Sequence, residues 1–172
     1  MRKPGHLWLL GLSGSGKSTL GPILARQLNL PFYDTDEIIT QKAQRPIPEI
    51  FAIEGEAGFR KRETEAICEM EKQKPAVVAC GGGAVLEADN RRVMQRNGTR
   101  IYLRVPLKVL EDRLRHKADR PLLTQGPLPT TLAEQLAKRE IWYQESEIQL
   151  DIGPDSPERA AQRIFDKLNA ES

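Results

Sequence analysis

The chain of 172 residues is long enough for one domain with a buried core. Apolar residues make up 39% and charged residues 29%, the balance of a globular protein, which excludes disorder as the default state. A formal net charge of +2 gives no case for a nucleic-acid or membrane partner.

The longest strongly apolar stretch, His6 to Leu12, is too short to cross a bilayer. It leads into a glycine-rich loop, so His6–Leu10 is predicted to be a buried strand between Gly5 and Gly11. Only Met1–Gly5 precede it, and no signal peptide is expected. Lys17–Leu28 follows as a helix with Leu20, Ile23, Leu24 and Leu28 on one face. Pro31 restarts the chain, and Phe32–Tyr33 predicts a second strand ending at Asp34. Arg45 to about Lys74 carries helical segments and no strand, an insertion before the third strand at Ala76–Cys80.

Gly81-Gly82-Gly83 closes that strand, and Pro106 stops a fourth over Arg100–Val105. Residues 117–129, rich in charge, Gly and Pro, read as a mobile loop. Ile148–Ile152 is the fifth strand, followed by Gly153-Pro154. Ser156-Pro157, a capping residue and then proline at the first helical position, opens a last helix whose inward stripe is Ala161, Ile164, Phe165 and Leu168. Such alternation predicts an α/β fold with a mostly parallel sheet covered on both faces. Cys68 and Cys80 lack metal-ligand or redox spacing, which points to reduced thiols and a cytoplasmic location.

The most specific motif is Gly11-Leu-Ser-Gly-Ser-Gly16-Lys17-Ser18, a full match to G-x-x-x-x-G-K-[ST] between a strand and a helix. Glycines let successive N–H groups turn inward around phosphate oxygens, and the helix start adds its positive dipole end. Lys17 should reach the β- and γ-phosphates, and the Ser18 hydroxyl should ligate Mg2+. A dinucleotide loop is set aside: G-x-G-x-x-G counted from Gly14 requires glycine where Thr19 stands.

Asp34-Thr35-Asp36 ends the second strand, where α/β sheets place ligands. Residues i and i+2 of a strand point the same way, so both carboxylates could face the phosphate loop. One could hold the metal and the other orient an attacking hydroxyl; the third strand ends without an acid, which favours Asp34 for the metal. The alternative for either is capping of the helix that begins near Glu37.

Arg60, Glu63 and Ile67 share one helical face, and Arg139 interrupts the apolar stripe of Leu132, Leu136 and Tyr143. An arginine there needs an anion, either a substrate carboxylate or a structural glutamate such as Glu63 or Glu145. Arg120, in the loop, could bring positive charge to the transferring phosphoryl group or be a solvated loop residue. The three glycines permit close backbone approach to a ligand, or mark a tight bend.

In this order and spacing, the phosphate loop, Asp34-Thr-Asp36, Gly55-Glu56 with Phe59-Arg60, the triple glycine, Arg120-Pro-Leu-Leu123 and Lys138-Arg139 ahead of Tyr143 resemble the shikimate kinase family over nearly the whole chain. The resemblance implies a three-layer α/β/α P-loop fold, a single domain over residues 1–172 with a five-stranded parallel sheet. It implies a substrate-binding helical region near 34–62 and a lid loop near 114–128. It also implies ATP, Mg2+ held by Ser18 and Asp34, and transfer to the 3-hydroxyl of shikimate in the route to aromatic amino acids. Lys17, Asp36 and Arg120 would be catalytic. Gly14, Ser15, Gly16, Lys17, Ser18, Thr19 and Arg120 would bind nucleotide, with Arg113 and Pro157 flanking adenine. Asp36, Arg60, Arg139 and the Gly81–Gly83 backbone would hold shikimate, with Glu63 supporting Arg60 and with Phe51 and Phe59 lining the pocket. A monomer is expected.

Ser13 stands where some relatives carry proline, and Cys80 has no assigned role. The rivals are another small-metabolite kinase, such as one for gluconate, and a GTP-binding switch. The second should carry [NT]-K-x-D, and no such tetrapeptide occurs.

Overall fold

The computed structural model describes residues 5–115 and 121–171. Strands β1 (His6–Leu10), β2 (Phe32–Asp34), β3 (Val77–Ala79), β4 (Gly98–Arg104) and β5 (Ile148–Asp151) form one sheet in the order β2-β3-β1-β4-β5, every pairing parallel. The helices among the described residues are α1 (Lys17–Leu28), α2 (Thr35–Ala43), α3 (Ile47–Met70), α4 (Ala88–Arg96), α5 (Leu107–Leu114), α6 (Leu128–Tyr143) and α7 (Pro157–Ala170).

Topology dictates the layers. The step from β1 to β2 runs towards one edge of the sheet, whereas β2 to β3, β3 to β4 and β4 to β5 run the other way. Right-handed crossovers therefore put α1 on one face and the helices of the later connections on the opposite face. The contacts agree: α1 packs against α7, α3 against α4, and α5 against α6. Among the described residues, no helix is long and apolar enough to cross a membrane.

Core burial follows the sequence pattern. Every residue of β1 is buried, as suits a central strand with helices on both faces. Each such aliphatic or aromatic side chain stabilises the fold by roughly 1.5–3 kcal/mol. A second, small apolar cluster (Ile39, Ile50, Phe59 and Ala66, with Phe51 and Ile47 packed on it) stands apart from the main core and belongs to α2 and α3.

Strand limits differ slightly from expectation. β3 is one residue shorter at each end, although the Ala76 carbonyl and Cys80 amide still bond to β1 at 2.8 and 3.1 Å. β4 starts at Gly98, two residues early, because backbone pairing with His6 needs no apolar side chain. The insertion is helical, as expected, but α3 breaks at Gly55, with φ 71° and ψ −177°. The expected lid overlaps residues 116–120, which lie outside the described residues, Arg120 among them. Beyond them, Pro121–Leu123 forms a 3-10 turn.

Candidate active site

Register brings three loops to one level. Asp34 of β2 pairs with Ala79 of β3, and Ala79 pairs with Leu9 of β1. The next residues in each chain are Thr35-Asp36, Cys80 with the triple glycine, and the phosphate loop. All three leave the carboxyl edge side by side, at the point where the strand order reverses.

The phosphate loop wraps as its glycines allow, with φ of 82° at Gly14 and 95° at Gly16, values that favour glycine. Gly16 precedes α1 without a side-chain cap, which leaves the first helical N–H groups for an anion. The Lys17 ammonium donates to the loop's own carbonyls, Gly11 at 2.5 Å and Leu12 at 3.1 Å. The Arg113 guanidinium donates to the Gly14 carbonyl at 2.9 Å, tying α5 to the loop.

Asp34 has two tasks. Its Oδ1 accepts the Asp36 N–H at 2.9 Å, so the capping alternative holds for this residue. Its Oδ2 accepts the Ser18 hydroxyl at 2.5 Å. A carboxylate and a hydroxyl side by side at a phosphate loop are hard oxygen donors of the kind Mg2+ selects. Among the described residues, no group of three or more His, Cys, Asp or Glu could hold a metal, so phosphate and water oxygens would complete such a site.

Two cavities meet here. One, of about 420 Å³, runs from the phosphate loop to Arg113, Asp155 and Pro157. The other, of about 60 Å³, is lined by Phe51, Phe59, Arg60, Glu63 and Arg139 with the three glycines. Ser13, Asp36, Gly81 and Gly82 line both.

The smaller cavity is dense with charge. Glu63, fully buried, accepts from Arg60 Nη1 at 2.9 Å through Oε1, while Oε2 has no partner among the described residues. Burial pushes its carboxyl up to about 7; the charge and hydrogen bond of Arg60 pull it down, and Asp36 pushes it further up. Arg60 also reaches Glu56 at 3.5 Å and lies 5.6 Å from the Phe59 ring centre, and Phe59 packs on Phe51 at 4.8 Å. Arg139, 5% exposed, donates to Gln135 Oε1 at 3.4 Å and forms no ion pair with any described residue. So Arg60 has the glutamate that the structural alternative foresaw, and Arg139 does not.

The glycines are small for a visible reason. A Cβ on Gly81 would stand 2.5 Å from Glu63 Oε2, one on Gly82 would stand 3.2 Å from Arg139 Nη1, and one on Gly83 would overlap the Arg60 guanidinium. The loop does turn, with the Ala84 N–H on the Gly81 carbonyl at 3.0 Å, but none of the three has positive φ, so close approach and not backbone conformation calls for glycine.

The family model described as shikimate kinase matches residues 13–169. The chain belongs to the shikimate kinase family. It is 40% identical over 169 residues to a shikimate kinase of Nitrosospira multiformis, covering 98% of this chain and 87% of that one. It is 41% identical over 164 residues to one of Thermosynechococcus vestitus, covering 95% and 89%. The shikimate kinase of Acinetobacter baumannii, solved in complex with shikimate, superposes with a TM-score of 0.96 at 32% identity, covering 99% of this chain and 96% of that one.

Within this shikimate kinase fold, every expected site residue among those described lies on one or both cavities. Arg113 and Pro157 line the larger one. Cys80 lines the same cavity, but burial pushes its thiol far up, so it acts as packing. Several participants were not anticipated. Asp155 lines the larger cavity, held by Arg163 at 2.6 Å. The Thr35 hydroxyl takes the Gly81 N–H at 3.1 Å, and the Tyr143 hydroxyl donates to the Gly82 carbonyl at 2.5 Å. Partners that are backbone groups leave no side-chain pattern to read.

Proposed function

We propose that this chain transfers the γ-phosphate of ATP to the 3-hydroxyl of shikimate, giving shikimate 3-phosphate and ADP. The observation that carries the reading is the junction of the two cavities at Asp36: a phosphate loop on one side and two arginines beside a small pocket on the other. An acceptor with a carboxylate would lie between Arg60 and Arg139, each guanidinium offering two parallel donors. Phe51 and Phe59 would cover its carbon ring, and Glu63 would hold Arg60 in place.

The hydroxyl oxygen attacks the γ-phosphorus in line, the bond to the β,γ-bridging oxygen breaks, and ADP leaves. Asp36 accepts a hydrogen bond from the hydroxyl, orients it, and takes its proton as the new P–O bond forms. Lys17 leaves the loop carbonyls for the β- and γ-phosphates, and the N–H groups from Gly14 to Thr19 hold their oxygens. Bound by Ser18 and Asp34, Mg2+ would neutralise phosphate charge. Arg120, outside the described residues, would add a further charge from a lid near 114–128, and Arg113 and Pro157 would hold adenine.

One chain supplies every named group, which supports a monomeric enzyme formed by one domain over 1–172, with residues near 34–62 as the acceptor-binding region. Dependence on ATP and two unpaired thiols support a cytoplasmic location. The deciding assay follows ADP release with Mg-ATP and shikimate, with parallel arms of gluconate as acceptor and GTP as nucleotide, and assigns the product by phosphorus NMR. Shikimate-dependent ADP release with phosphate on the 3-oxygen is expected. Release with gluconate alone, or GTP binding without any acceptor, would overturn the reading.

A further inference from the structure

Each peptide of the triple-glycine loop is held by one edge. The Gly81 carbonyl accepts from the Ala84 N–H at 3.0 Å, and the Gly82 carbonyl accepts from the Tyr143 hydroxyl at 2.5 Å. On the other edge of those two peptides are the N–H groups of Gly82 and Gly83, which have no partner among the described residues. Both residues line the smaller cavity. A trans peptide is rigid, with C=O and N–H pointing in opposite directions, so fixing the carbonyl fixes the direction of the donor.

The anchor on Gly82 is built to stay in place. Tyr143 is fully buried, and its ring stacks on Tyr102 at 4.9 Å with 18° between planes. The side chain has only two torsions to hold, and a buried phenol needs a partner. Arg139 lies one turn earlier on α6, so one helix end controls both a guanidinium and a peptide of the cavity. On the other side, Thr35, also fully buried, takes the Gly81 N–H from the start of α2.

We infer that Tyr143 is a positioning residue for the acceptor: by gripping the Gly82 carbonyl it aims the Gly83 N–H at an oxygen of the bound hydroxy acid, with Thr35 as the opposing anchor. The inference rests on the proposed phosphotransfer. Tyrosine is required there for its hydroxyl, not only its ring, and the hydroxyl acts through the backbone without touching substrate.

Tyr143→Phe keeps the ring and removes the grip. The shikimate KM should rise about tenfold, the loss of one well-placed hydrogen bond. The KM for ATP should stay unchanged, since the phosphate loop has its own supports. Thr35→Val should shift the same constant in the same direction, and it decides the matter if Tyr143→Phe fails to fold. An unchanged shikimate KM, or equal rises in both KM values, would overturn the inference, the second by showing a purely structural role. Wild-type protein run alongside separates the two readings. No shikimate-dependent turnover in the wild type overturns the functional reading and this inference with it; an active wild type matched by the variant overturns this inference alone.

Discussion

At the phosphate-loop end of the cleft, residues 13–19 form one contiguous stretch of the lining, seated on the main core through β1. At the acceptor end, the groups come from α2, α3, the triple glycine and α6, and they rest partly on the small cluster of Ile39, Ile50, Phe59 and Ala66. The first end offers backbone dipoles, which folding orients anyway. The second offers side-chain charges that must be paired, buried and kept apart. Backbone cradles are therefore robust and general, whereas the charged pocket gives selectivity and depends on tertiary packing.

The comparison can be broken by variants that affect one end only. The largest effect should come from Asp36→Asn at the junction, with kcat falling roughly 10²- to 10⁴-fold while ATP affinity, measured by calorimetry, persists. Loss of ATP binding in that variant would show that the two ends are not separable. Arg139→Ala should raise the shikimate KM roughly 10- to 100-fold, as expected for lost charged hydrogen bonds, with little change in the KM for ATP. An unchanged shikimate KM would remove Arg139 from the carboxylate site.

Glu63→Gln sharpens the comparison through pH. The folded protein holds the Glu63 proton up to about 7, whereas the ordinary value is 4.5. Between those values the native state binds more protons than the unfolded chain. This residue's contribution to stability is therefore full below about 4.5 and declines as pH rises towards 7. The loss should be on the order of 3 kcal/mol, and the glutamine variant should lack that slope in urea melts at pH 5 and pH 8. Identical slopes in both proteins would contradict the assignment. The smallest effect should be Gly55→Ala. At φ 71° and ψ −177°, with nothing within 4 Å of the added Cβ, only backbone torsion opposes it. About 1–3 kcal/mol of stability should be lost, visible in the melting temperature, with a modest rise in shikimate KM.

Much of this was legible in the chain itself. The order of strands and helices, the phosphate loop and the helical insertion each follow from a local signal: an apolar run, a glycine spacing, a helical period. Arg139 was legible as an anomaly, a charge on an apolar stripe, and Arg60 as sharing a helical face with Glu63, but which of them would find a structural glutamate was not. Arg60 meets Glu63 one turn along the same helix, whereas Arg139, set against Gly82 by α6, has no glutamate among the described residues. The capping and metal readings of Asp34 looked like rivals in sequence; in the fold they do not exclude each other, because one oxygen takes the Asp36 N–H and the other faces the Ser18 hydroxyl.

The sequence by itself determined what is short-range: which segments are strands, where phosphate can be held, and which charges are out of place. Only the tertiary structure decided what is long-range. Sheet register set three strand ends at one level, α6 was brought against the triple glycine, and a buried carboxylate was left with one oxygen unpaired among the described residues. Periodicity and spacing act over a few residues of chain, whereas burial and charge pairing act over a few ångströms of space, and only folding converts one into the other.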